Sequence, residues 1–145
     1  MSQNFRERIT VPIWLMAFIA FLLATLDIAL WAALGNSALL PAGLVSVGVL
    51  ILVGARAPLN IEVTSEWLIV GKARIERRYL SDISVLEREE YFLTRGRNAD
   101  PAAYLALRFW LNRGVKIELN DDRDATPYWL ISSRDPAALA EALQN

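Results

Sequence analysis

The 145-residue chain contains no cysteine and no histidine. The first absence excludes disulfides and thiol nucleophiles, the second removes imidazole acid–base chemistry, and together they leave no ordinary zinc ligand set. Charge of one sign is missing too: 15 basic and 16 acidic side chains give a net charge of −1, without the basic footprint of a nucleic-acid binder. The sequence shows no P-loop, no dinucleotide-binding glycine pattern and no G-x-S-x-G elbow, so nucleotide, redox and serine-hydrolase chemistry have no recognisable site. A serine nucleophile would have only Lys72 or Lys116 as its base. The chain is therefore read as neither enzymatic nor cofactor-dependent.

What is present is a segregated composition. Hydrophobic residues make up 54% of the chain beside 21% charged residues, and the apolar excess lies in two runs. Val11 to Leu34 holds 21 apolar residues in 24, a helix of roughly 36 Å and long enough to cross a bilayer core. Ala38 to Ala55 is 18 residues without a charge, a helix of roughly 27 Å with Pro41 near its start, where a missing N–H is tolerated. Only Gly35, Asn36 and Ser37 separate the runs, which predicts an antiparallel hairpin with Ser37 as N-cap of the second helix.

Arg6 and Arg8 precede the hairpin, Arg56 follows it, and no Lys or Arg lies between. The positive-inside rule then predicts a multi-pass membrane protein with both termini cytoplasmic. A cleaved signal peptide, with Ala32, Ala33 and Gly35 near the cut, is disfavoured because the first run is too long and a second follows at once. The organisation expected is an N-terminal cytoplasmic segment 1–10, a two-helix hairpin 11–55 with spans 11–34 and 38–55, and a cytoplasmic domain 57–145.

Within the first span, Ala17, Ala20, Ala24, Asp27 and Trp31 share one face, and Ala38, Ala42 and Ser46 form a small-residue ridge on the second. These faces are the predicted seam, with Asp27 at about the depth of Ser46. A charge at the centre of a span costs about 2.5–3.5 kcal/mol on insertion scales, so Asp27 should face protein. A proton or ion relay, a protonated carboxyl bonded across the seam and a contact between copies of the hairpin in a homo-oligomer all remain open.

Residues 57–145 carry 12 basic and 14 acidic groups in short alternating runs. Leu59, Ile61 and Val63 alternate with Asn60, Glu62 and Thr64, the pattern of a half-buried strand. Trp67–Val70, Lys72–Arg77, Ile83–Leu86, Tyr104–Trp110, Val115–Leu119 and Tyr128–Ser132 complete about seven antiparallel strands, with Gly71 and Gly114 at turns. A short helix is expected over Glu89–Thr94, and a C-terminal helix begins at Asp135 as N-cap with Pro136 in its first turn. Seven strands and a closing helix give the order of an all-β, pleckstrin-homology-like (PH-like) small barrel with one C-terminal helix, an order that composition alone does not separate from other small barrels.

Three stretches carry a resemblance. Arg6-Glu7-Arg8-Ile9-Thr10-Val11-Pro12, then Asp100-Pro101 and Ala103-Tyr104-Leu105 with Leu107-Arg108, and Pro127-Tyr128-Trp129-Leu130-Ile131-Ser132-Ser133-Arg134 with Pro136 resemble a family of small actinobacterial membrane proteins known as a domain of unknown function. The soluble half is similar to bacterial membrane-tethered PH-like domains. The resemblance implies architecture and a cell-envelope location, and no reaction.

Candidate contact residues follow from charge and aromatic placement. Lys72, Arg74, Arg77 and Arg78 cluster over one predicted hairpin after Arg56, each worth about 1 kcal/mol against an anionic leaflet; the plainer alternative is a solvated face balanced by Glu66 and Glu76. Trp129 and Arg134, beside Tyr128, form an aromatic–arginine patch suited to a protein partner or planar ligand. One of the two aromatics should face the core, since neighbours in a strand point to opposite sides. Arg95-Gly96-Arg97 reads as an exposed turn. Asp121, Asp122 and Asp124 read as a polar loop, because the glycine and distant Glu of a calcium loop are absent. Together these features point to a membrane-held binding or scaffold module that contacts lipid or a protein partner. The alternative is an intramembrane subunit of a transport or envelope complex using Asp27 and Ser46.

Overall fold

The computed structural model describes residues 5–145; positions 1–4 of the expected N-terminal segment lie outside the described residues. The chain divides into two compact units. One takes the described residues up to Ile9 together with Leu59–Asn145, the other Thr10–Pro58.

The second unit is a helical hairpin of α1 (Ile13–Leu34) and α2 (Leu39–Arg56), joined through a 3-10 turn at Asn36–Ala38. Both helices are long and apolar enough to cross a membrane. Their outward faces leave large apolar side chains uncovered, Phe21 by 66% and Leu40 by 74%, a surface that suits hydrocarbon rather than water. At the bend, the Gly35 N–H donates to the Trp31 carbonyl at 2.8 Å, and the Trp31 indole N–H donates to Asn36 Oδ1 at 2.8 Å. Ser37 is not the N-cap expected of it. Its hydroxyl points back to the Leu34 carbonyl at 3.4 Å, and α2 starts at Ala38 without a side-chain cap because the 3-10 turn already engages the local backbone.

The first unit contains two four-stranded sheets and two helices. Sheet one orders β1 (Phe5–Ile9), β2 (Leu59–Val63), β3 (Trp67–Val70) and β4 (Ala73–Glu76), all antiparallel. Sheet two contains β5 (Leu80–Leu86), β6 (Tyr104–Ala106), β7 (Gly114–Leu119) and β8 (Tyr128–Ser132), in the order β5-β7-β8-β6. Alternation in β2 and β3 sends Leu59, Ile61, Val63, Leu68 and Val70 inward, where they meet Val115, Ile117, Trp129 and Ile131 of sheet two. Helix α4 (Pro136–Gln144) adds Leu139, Ala142 and Leu143 to this core. Asp135 caps it by accepting from the Ala138 N–H at 3.0 Å. The opposite face of sheet two is covered by α3 (Arg88–Arg95), whose Tyr91 packs with Leu86, Tyr128 and Leu130.

Four differences from the sequence reading have physical causes. Phe5–Ile9, assigned no element within the expected N-terminal segment, is a strand. It pairs with β2 from Phe5↔Val63 to Ile9↔Leu59, and the inward carboxylate of Glu7 hides its apolar period. The expected Lys72–Arg77 strand stops at Glu76, and Arg77–Tyr79 form a 3-10 turn. The Tyr104–Trp110 strand shortens to Tyr104–Ala106 and runs parallel to β8, because the Arg108 N–H leaves the ladder to donate to Ser132 Oγ at 2.8 Å. The predicted barrel is not closed: among the described residues no ladder joins the two sheets.

Two glycines are required by geometry. Gly71 begins the two-residue turn between β3 and β4 at φ +62, where a side chain would be strained. A Cβ on Gly114 would sit 2.2 Å from the Ile131 carbonyl oxygen and 2.8 Å from Tyr91 Cε2. Gly114→Ala is therefore expected to cost about 1–3 kcal/mol, read as a lower chemical-denaturation midpoint of the detergent-solubilised protein, while Gly48→Ala, with open space around it, leaves the midpoint in place.

Candidate functional site

In the hairpin, the Asp27 and Ser46 side chains meet. Ser46 Oγ donates to Asp27 Oδ1 at 3.0 Å, and Ser46 is one of the few buried residues of the pair of helices. The two residues sit in an otherwise apolar groove of about 340 Å³ whose walls include Leu23, Leu30, Ala38, Ala42 and Val45. Small residues of α2 open the space, and Asp27 supplies its carboxylate. Chemically the groove can accept an apolar helix or chain that brings one hydrogen-bond donor.

The four cations expected over the β3–β4 hairpin have separate employments. Arg77 turns inward. Its guanidinium donates to the Leu143 carbonyl at 2.7 Å, the Ala142 carbonyl at 3.2 Å and the Thr64 carbonyl at 3.2 Å, so it satisfies the C-terminal carbonyls of α4 and ties that helix to sheet one. Arg78 pairs with Glu76 at 2.7 Å and lies over the Tyr79 ring. Arg74 lies over the Trp67 ring. Lys72 stands exposed in the turn.

A shallow pocket of about 220 Å³ brings Arg74 together with Trp67, Tyr79, Asp121, Arg123 and Trp129. Residues Tyr79 and Arg123 escaped the sequence reading because they lie 44 positions apart and no local pattern links them. Arg123 stacks over Tyr79 and donates to Asp121 Oδ1 at 3.2 Å. That side-chain hydrogen bond, then the Arg123 backbone N–H, hold the Asp121 carboxyl below the usual carboxylate range. Asp121 is paired with Arg123 and Glu76 with Arg78, and among the described residues no three ligand-type side chains converge to hold a metal.

Tyr128 and Trp129 are both buried, which corrects the expectation that one would be free. Strand β8 lies between two partners and both of its faces are covered: Trp129 packs on Tyr104 at 4.6 Å between ring centres, and Tyr128 faces α3 and donates no surface to a ligand. Its hydroxyl accepts from the Asp100 N–H at 2.9 Å. The block's polar end does something else. Ser133 Oγ donates to Glu7 Oε2 at 2.6 Å and the Arg134 N–H donates to Glu7 Oε1 at 2.8 Å, so two of the recognisable stretches, 126 residues apart, meet in space.

Hairpin and sheets define a class: a two-sheet domain interrupted between its first two strands by an apolar helical hairpin. The chain belongs to the family described as "Protein of unknown function (DUF3093)", whose model matches residues 4–143. No curated protein and no solved structure matches it.

Removing the Arg77 guanidinium strands three carbonyls, so Arg77→Ala is expected to lower stability by about 1–3 kcal/mol. Arg78→Ala, which loses a solvent-accessible ion pair and a contact with the Tyr79 ring, should cost about 1 kcal/mol or less. Denaturation midpoints of the two variants in the same detergent decide the comparison.

Proposed function

We propose that the protein is a non-catalytic, membrane-anchored binding module of the bacterial inner membrane. Its hairpin lies in the bilayer and its domain, PH-like in its sheets and closing helix, stands at the cytoplasmic face. The observation that carries this reading is the placement of two apolar helices between paired strands β1 and β2. Because those strands are hydrogen-bonded neighbours, the chain leaves and re-enters the domain at one edge, and a hairpin reached that way returns to the side it left. Arg6, Arg8 and Arg56 flank it and no cation lies at the bend, which favours the cytoplasmic side for the domain. Confinement at the membrane raises the effective concentration of domain and ligand, so weak contacts suffice.

The absence of cysteine makes the topology testable with single thiols. Asn36→Cys at the bend should react with a membrane-impermeant maleimide in intact spheroplasts, and Asp122→Cys in the domain only after lysis. The reverse pattern, or equal labelling of both, overturns the reading.

A second reading, an intramembrane subunit that uses Asp27 in a transport or envelope complex, is favoured by the Asp27–Ser46 hydrogen bond inside an open apolar groove. Under it, Asp27→Asn abolishes the cellular phenotype rescued by the wild type while insertion persists. An unchanged rescue removes this reading.

A further inference from the structure

The outward face of sheet one places together Arg6 and Arg8, the two arginines of β1. Register sets Arg6 opposite Glu62, Glu62 opposite Ile69, and Ile69 opposite Arg74. Arg8 faces Asn60, and residues directly opposite in antiparallel strands share a face. The inward set, Ile9, Ile61, Val63, Leu68 and Val70, is buried, so this second set faces solvent. It forms the wall of a cleft of about 500 Å³, lined by Arg6, Arg8, Asn60, Glu62, Ile69 and Gly71, with Glu7 and Ile61 also contributing from the inward set.

The cleft is poorly neutralised. Arg6 reaches Glu62 through one long contact of 3.4 Å, with 79% of its side chain exposed. Arg8 is exposed, and no described side chain pairs with its guanidinium. Glu7, the other acid at this edge, is occupied by Ser133 and Arg134. Lys72, next to Gly71 at the rim, adds a further exposed cation. Two guanidiniums on alternate residues of one strand, a neighbouring amide and an apolar floor at Ile69 match a phosphate carried on a short aliphatic backbone.

We propose that this cleft binds the phosphate of an anionic lipid headgroup, with Arg6 and Arg8 as its principal ligands and Asn60 as a neutral donor. The chain itself argues for a lipid source. Arg8 precedes the hairpin unit at Thr10 by two residues, at most about 7 Å of extended backbone, and the headgroup layer borders the apolar span. The inference rests on the membrane-anchored reading above and deepens it. It shifts headgroup contact from the Arg77–Arg78 turn, whose cations are engaged, to β1, the strand that precedes the hairpin in sequence.

The test uses full-length protein in a non-ionic detergent, with bound phospholipid counted by native mass spectrometry. Wild type should retain phosphatidylglycerol in preference to phosphatidylcholine, and Arg6→Gln/Arg8→Gln should weaken that retention on the order of tenfold or more. Arg97→Gln, a loop cation elsewhere, should leave it unchanged. Both replaced side chains are exposed, so thermal midpoints should match; if the double variant fails to fold, Arg8→Gln alone must still weaken retention. Equal retention by wild type and variant overturns the proposal. Displacement of the lipid by equimolar inorganic phosphate overturns the lipid source and assigns the cleft to a free phosphate. The thiol-labelling pattern separates the two levels: phosphatidylglycerol indifference with labelling intact rejects the cleft alone.

Discussion

The carboxylate of Glu7 holds the first strand to the last turn of the domain. It accepts from Ser133 Oγ and from the Arg134 N–H, while Ser133 Oγ in turn accepts from the Asp135 N–H at 3.1 Å and Asp135 caps α4. A single inward acid on an edge strand thus links β1, the end of β8 and the start of the closing helix. Charge-assisted bonds of this kind are stronger than neutral ones and costly to leave half made. An inward carboxylate on an edge also discourages pairing with a foreign strand. The position of β1 matters more than its length, because everything from Thr10 to Pro58 hangs between it and β2.

That long insertion would ordinarily oppose β1–β2 pairing through loop-closure entropy. Here the inserted segment is an antiparallel helix pair, whose own ends lie within about 10 Å of each other, near the separation of paired strands. Hairpin and sheet are therefore compatible solutions for one chain. The same arrangement gathers Arg6 and Arg8 onto an exposed face beside the point where the chain turns apolar. Arg77 closes the structure elsewhere, joining sheet one to the C-terminus of α4, which is why a residue that looks like surface charge is a structural tie.

Much of this was legible in sequence. The two apolar runs, the bend at Gly35–Ser37, most of the strand positions and the capped C-terminal helix all announce themselves through local period and local chemistry. The Asp27–Ser46 contact was also within reach, because a hairpin with a known bend sets the depth of each residue. The misreadings share a cause. Phe5–Ile9 shows its period only once Glu7 is known to have a partner 126 residues away, and Tyr104–Ala106 ends early because Ser132 competes for the Arg108 N–H. Tyr128 and Trp129 obey strand alternation, but a strand covered on both faces buries both sides.

The sequence by itself determined the division into an apolar hairpin and a small β-rich domain, because hydrophobic runs and alternation are local and additive. Only the tertiary structure decided which cations are free to meet a ligand. Four neighbours, Lys72, Arg74, Arg77 and Arg78, look alike in sequence, yet one caps a helix, one pairs with Glu76, one stacks on Trp67 and one stands in solvent. Their charges are identical, and their roles differ because hydrogen-bond partners are set by cross-strand register and packing rather than by position along the chain.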